Sequence, residues 1–317
     1  MSIKTSWVSN TFKYLHQHPT QNMYGREMVG DVIPHILIAR NKDEMIDTSV
    51  IQLTNTLLPV AAGYMLDAVY NDIQKCFRPL KTAASKNWFG LGKSLALYGF
   101  LAAVPISNAF IRNWVTAKRT QSVGFVDMIG EKKFGLEATA KHQAKIEAFE
   151  HNIASILATG IVASAALFGV TQLLIRSKMP FGKIPRLLAD YLALPGGKFE
   201  LFAKPKKALF GKIALPPILI WGLPIYAGLF SASRDQFEFK ELVLRFGAFI
   251  SSFFILPKLA KDWSMKHTPR KLAKLTGSKA NAAMIVELLT TSVLFAIIPP
   301  LINILLTKKR VKNEGKN

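Results

Sequence analysis

Long uncharged apolar runs alternate along the chain with polar, mostly basic segments, and the length of the runs predicts helices rather than strands. The clearest run is 153–175, which carries no charge and is bracketed by Glu150 and His151 on one side and Arg176 on the other. About 20 apolar residues at a rise of 1.5 Å cross a hydrocarbon layer roughly 30 Å thick, so this run has the length of a spanning helix. Similar runs are expected at 94–111, closed by Arg112, and at 213–233, 242–257 and 288–307. The run 49–66 is uncharged but contains Gln52, Thr54, Asn55 and Thr56, which leaves it open between a span and a helix lying in the interface. The expected fold class is therefore all-α: a polytopic helical membrane protein with five to six spans, several interrupted by proline.

The polar segments divide the chain further. Residues 1–48 form a mildly acidic N-terminal module, in which two short helices are expected on either side of Pro34, since proline removes a backbone donor and crowds the preceding turn. Residues 49–111 make a first membrane region and 153–307 the main bundle. Between them, 112–152 reads as a solvated helical connector with opposite charges three or four residues apart. The run 213–233 and the run 242–257, joined by the polar turn 234–241, suggest a hairpin, with Arg245 in the first turn of its second helix. In 258–279, Leu259, Trp263 and Met265 are placed to bury while lysines face water. Residues 308–317 form a basic tail opening with Lys308, Lys309 and Arg310.

Charge sharpens this division. The 317 residues carry 41 Lys/Arg against 20 Asp/Glu, a formal net charge of +21. Residues 1–72 hold five Lys/Arg and seven Asp/Glu, so the positive excess falls wholly after them. The basic residues sit between apolar runs, where they would meet anionic headgroups, and no nucleic-acid module is present. Lys204, Lys206 and Lys207, interleaved with phenylalanine and leucine, and Arg270 with Lys271 are expected to face lipid. The positive-inside bias puts 176–212 and 258–279 on the cytoplasmic or matrix-like side and 234–241 opposite. An integral membrane location follows, in a bacterial inner membrane or an organellar one, and the N-terminus has no apolar core of a cleavable signal. The single cysteine, Cys76, has no internal partner.

Two patterns bear on packing. Leu58-Pro59-Val60-Ala61-Ala62-Gly63 echoes Leu223-Pro224-Ile225-Tyr226-Ala227-Gly228, while Pro105 and Pro299-Pro300 precede Asn108 and Asn303. Pro59, Pro105, Pro224 and Pro299 thus mark helix breaks that could line a polar site in two related halves, against the alternative that proline is simply common in membrane helices. Gly160 with Ser164, and Ala165 with Gly169, are small residues four apart that allow helix backbones to approach.

Motifs for chemistry are absent. Gly92-Lys93-Ser94 lacks the upstream glycine of a phosphate-binding loop and reads as a helix start. His16 and His18 form an HxH pair with no further ligand nearby. One constellation stands out: Glu27, Asp31 and His35 would share a helix face and, with Arg40 nearby, form a candidate polar site, unless these charges only neutralise one another in a solvated cap. No cofactor, metal or catalytic residue is expected. The expected function is binding or passage of a small solute or lipid between proline-interrupted helices; the alternative is a non-catalytic scaffold that holds anionic lipid or a protein partner, as an oligomer or alone.

Overall fold

The computed structural model describes residues 10–314 apart from 12, 16, 19–21, 23, 24, 26, 78, 121, 131–138, 195–198, 200–205, 208–214 and 252–255. His16 and Lys204 lie outside the described residues. Among those described, the regular structure is helical, with no strand. In chain order the helices are α1 (Ile33–Leu37), α2 (Lys42–Cys76), α3 (Ala83–Thr120), α4 (Phe125–Met128), α5 (Thr139–Arg176), α6 (Lys183–Leu192), α7 (Leu223–Ser231), α8 (Gln236–Ile250), α9 (Leu256–His267), α10 (Arg270–Thr276), α11 (Lys279–Thr291) and α12 (Ile298–Glu314). A single helical turn also lies at Leu215–Pro217.

Three prolines share one local solution. A π-helical turn precedes α1, α7 and α12, at Met28–Val32, Ile218–Gly222 and Ser292–Ile297, and Pro34, Pro224 and Pro299 each occupy the second residue of the helix that follows. The proline ring would clash with the carbonyl one turn back in an α-helix, and the wider π turn makes room for it. Pro34 thus joins two tight elements without a loop between them. Pro59 and Pro105 instead sit inside α2 and α3, which run through them.

The chain folds as two compact units. The first comprises Met1–Ser49, Ser122–Glu137 and Ser233–Asn317, and the second Val50–Gln121 and Ala138–Ala232. In the first, α9 packs on α11, α8 on α12, and the π turn at 28–32 on the π turn at 292–297. That contact is close at Gly30, where an added Cβ would stand 3.2 Å from Ser292 Oγ and 3.1 Å from Leu288 Cδ1 in the last turn of α11. Phe125, Val126, Met128 and Ile129 form its small apolar core with Phe237 and Val311.

In the second unit α3 and α5 pack along their length. Small residues bring them together: a Cβ on Gly160 would stand 2.5 Å from Ala103 Cβ, and one on Gly92 would stand 1.8 Å from Thr171 Oγ1. Ser164 is buried and donates to Ala96 O at 2.7 Å. Gly169 has nothing within 4 Å and Ala165 is exposed, so only the first of the two small-residue pairs serves packing. α7 lies on α3 at its proline, with Gly228 against the backbone of Pro105 and Ile106.

Several boundaries differ from expectation. α3 is 38 residues long and continues past Arg112, and the burial of Arg112, Asn113, Thr116 and Ala117 gives 112–117 one face in the core, whereas Lys118 and Arg119 are exposed. Its Lys93, read as part of a helix start, is mid-helix and buried, with Nζ 2.7 Å from Asp67 Oδ1 and 3.0 Å from Asn71 Oδ1. α8 begins at Gln236, six residues before the apolar run, because Asp235 caps it. Arg245 therefore lies in its interior and not in its first turn. Leu259, Trp263 and Met265 are exposed. Among the described residues three helices, Ala83–Thr120, Gln143–Arg176 and Lys279–Asn313, are long and apolar enough to cross a membrane, while Met28–Leu37 and Ile218–Ser231 are shorter apolar helices.

Candidate functional site

The densest buried chemistry lies in the first unit, where two short sequences meet. Arg40 ends the loop after α1 and Arg234 the loop after α7; each is followed by a capping residue, Asn41 or Asp235, and then by a helix. One turn into each helix, a glutamate folds back on its arginine. Glu44 accepts from Arg40 N at 2.5 Å and from Arg40 Nη2 at 2.9 Å. Glu238 accepts from Arg234 N at 2.7 Å and from Arg234 Nη2 at 2.9 Å. A second carboxylate, three residues further, points at the opposite arginine. Arg40 Nη2 donates to both oxygens of Glu241 at 2.9 Å, and Arg234 donates through Nη1 and Nη2 to the two oxygens of Asp47 at 3.0 Å.

The two halves of this cluster are thus reciprocal: Arg-x-x-x-Glu-x-x-Asp at 40–47 recurs 194 residues later as Arg-x-x-x-Glu-x-x-Glu at 234–241. None of the six side chains is more than 7 % exposed. Taking a charge out of water costs several kcal/mol per ion unless it is paired and hydrogen-bonded, a condition that the crossed geometry meets. Burial opposes the charge on each guanidinium, but Glu241 and Glu44 for Arg40, and Asp47 and Glu238 for Arg234, outweigh it and raise both pKa values above the ordinary arginine range. A raised value keeps a cation charged to higher pH, so both arginines stay charged at any working pH.

At the centre lies α4. Both guanidinium groups approach the Phe125 ring, with Cζ at 5.2 Å from its centroid for Arg40 and 5.5 Å for Arg234. Asp235 Oδ2 accepts from the backbone of Phe125 and Val126 at 2.9 and 3.1 Å, while its Oδ1 caps α8. Asn41 does the converse: its Oδ1 accepts from Glu44 N at 2.8 Å and its Nδ2 donates to Met128 O at 3.0 Å. The difference between Asn41 and Asp235 follows from α4 having a direction. Its first residues offer N–H groups, which call for a carboxylate, and its last offers a carbonyl, which calls for an amide donor.

α12 closes the cluster. Thr307 Oγ1 donates to Glu241 Oε1 at 2.5 Å and Asn303 Nδ2 to Glu241 O at 3.1 Å. Pro300 and Asn303 stand 195 residues after Pro105 and Asn108, one residue off the spacing of the arginine segments. Asn108 Nδ2 donates to Asn55 Oδ1 at 2.9 Å, and both Asn108 and Asn303 leave a buried Oδ1 with no hydrogen-bond partner among the described residues. A cavity of about 10 Å³ beside the cluster, lined by His35, Arg40, Glu44, Thr48, Arg245 and Pro300 among others, has room for about one water.

Of the residues singled out from the sequence, Glu27, Asp31 and His35 are buried. His35 Nδ1 lies 2.6 Å from Asp31 Oδ1 and 3.0 Å from Asp31 O. The π turn between Glu27 and His35 changes the helical register, and no group of three His, Cys, Asp or Glu that could hold a metal occurs among the described residues. Arg40 belongs to the crossed cluster. Pro59, Pro105, Pro224 and Pro299 are all buried. The proline-based echo pairs Pro59 with Pro224, but by local structure the counterpart of Pro224 is Pro34. Lys206, Lys207, Arg270 and Lys271 are exposed, and Lys207 Nζ pairs with Asp190 at 3.1 Å. The Arg-x-x-x-Glu-x-x-Asp/Glu repeat was present in the sequence, and laying 40–47 over 234–241 would have found it. No family model matches the chain, and neither a curated protein nor a solved structure matches it.

Proposed function

We propose that this chain is a polytopic membrane protein of two related halves that passes a small polar solute or lipid, and that the crossed arginine–carboxylate cluster holds it shut. The observation that carries this reading is the reciprocal exchange in which Arg40 reaches Glu241 and Arg234 reaches Asp47. Repeats joined by exchanged ion pairs have two discrete arrangements, paired and parted, as a gate needs. The buried acceptor on Asn303, whose Nδ2 reaches Glu241 O, would then be available to a polar guest or water. The apolar surface of α5 supports the membrane: 17 % of its most apolar stretch is buried, against 67 % for α3.

The test places a cysteine at Ile304, beside the small cavity, after Cys76→Ser, and reads its modification by a water-soluble maleimide in reconstituted vesicles. Arg40→Gln and Glu241→Gln should each raise the labelling rate several-fold, and the double variant should add little, since the two act on one pair. Unchanged labelling in Glu241→Gln, which leaves the Arg40–Glu44 pair in place, would make the cluster a strut. That outcome favours the second reading, a scaffold for anionic lipid or a protein partner, for which the close fit of Gly228 against the backbone of Pro105 and Ile106 speaks.

A further inference from the structure

A different region bears a ligand site of its own. A cleft of about 640 Å³ opens in the second unit between the start of α3 and the end of α5. Its floor is apolar, from Trp88, Leu174 and Met179, and its rim carries Lys81, Arg176 and Lys178, with no acidic residue among the lining side chains. Trp88 Nε1 donates to Met179 O at 3.0 Å and its ring meets Phe181 edge to face, which fixes one wall. Beyond the cleft, α5 carries Leu173, Val170 and Val162, each more than half exposed.

The end of α5 adds a second observation. Met179 N donates to Leu174 O and Lys178 N to Ile175 O, the paired bonds of a Schellman ending. That motif needs a left-handed residue, usually glycine, and here it is Lys178 with φ 55°. A lysine is held where glycine would be less strained, and its side chain lines the cleft. We infer that this cleft binds the phosphate headgroup and upper acyl chain of an anionic phospholipid. The inference rests on the reading of the chain as a membrane protein, and it commits to lipid because three cations without an acidic neighbour suit a phosphate headgroup while the apolar lining and the exposed apolar residues of the same helix suit an acyl chain.

The protein in neutral detergent is titrated with short-chain phosphatidylglycerol brominated on its acyl chains, and quenching of tryptophan fluorescence is read. Saturable quenching is expected, reduced in Trp88→Phe, with phosphatidylcholine at least tenfold weaker. Lys178→Gly should weaken binding about fivefold, the share of one cation near a headgroup, while its unfolding midpoint stays level or rises. Lys81→Glu with Lys178→Glu should abolish it, and inorganic phosphate at tens of millimolar should not displace the lipid. Equal binding of the two lipids, an unchanged affinity in Lys178→Gly, or full displacement by phosphate would overturn the proposal. None of these readings depends on the labelling at residue 304, so the cleft and the gate stand or fall separately.

Discussion

Asn41 and Asp235 occupy equivalent places around α4, and the difference between them is an amide NH2 donor in place of a carboxylate oxygen. Asn41→Asp would set a carboxylate against Met128 O, with no donor between them, and is expected to cost about 2–4 kcal/mol as two acceptors are left facing each other. Asp235→Asn keeps one acceptor oxygen but turns an amide NH2 toward the N–H groups at the other helix start, and should cost about 1–3 kcal/mol. Unfolding midpoints in a denaturing-detergent titration measure both, and a negligible loss in either would contradict the directional role of α4. At this scale the sequence was only partly readable. Arg40 was marked as part of a polar site, but its partner Glu241 lies 201 residues away, and no local periodicity links them. Glu44 and Asp47 read as a solvated cap, because charges in a short polar stretch carry no sign of burial; burial comes from Glu241, Arg234 and the Phe125 ring. Lys93 was hidden in the same way, since Asp67 and Asn71, which neutralise it, belong to another helix.

Among the elements, the apolar runs at 94–111, 153–175 and 288–307 were legible as helices because length and composition alone define them. Their ends were not, since a helix continues as long as neighbours bury it: Asn113 and Thr116 extend α3 by packing, and Asp235 starts α8 by capping. The π turns before Pro34, Pro224 and Pro299 were read as breaks, whereas the helix widens by one residue and goes on. The α3–α5 contact offers a paired test. Gly92→Ala should destabilise by about 1–3 kcal/mol although alanine favours helix by about 1, because its methyl would meet Thr171 at its stiff, branched Cβ as well as its hydroxyl. Gly169→Ala, with open space around it, should be neutral or stabilising. The same unfolding titration distinguishes them, and a loss at Gly169 as large as at Gly92 would refute the packing account.

For the whole molecule, the apolar face of α5 and the long helices α3 and α11–α12 lead to the expectation that the protein stays in the membrane pellet after alkaline carbonate washing, which strips electrostatic anchors. Recovery in the supernatant would remove the transport and scaffold readings together. Each compact unit draws on early and late parts of the chain. The first joins residues 1–49 to 233–317, and the second joins 50–121 to 138–232. Neither half of the sequence contains a finished unit. This exchange sets a clock on biosynthesis: Arg40 and Asp47 leave the ribosome about 200 residues ahead of Glu241 and Arg234, which at about 5–20 residues per second is a wait of roughly 10–40 s. Through that interval Arg40 has Glu44 but not Glu241, and Asp47 lacks Arg234, so the leading segment is expected to stay in contact with water or a chaperone until the second arginine arrives.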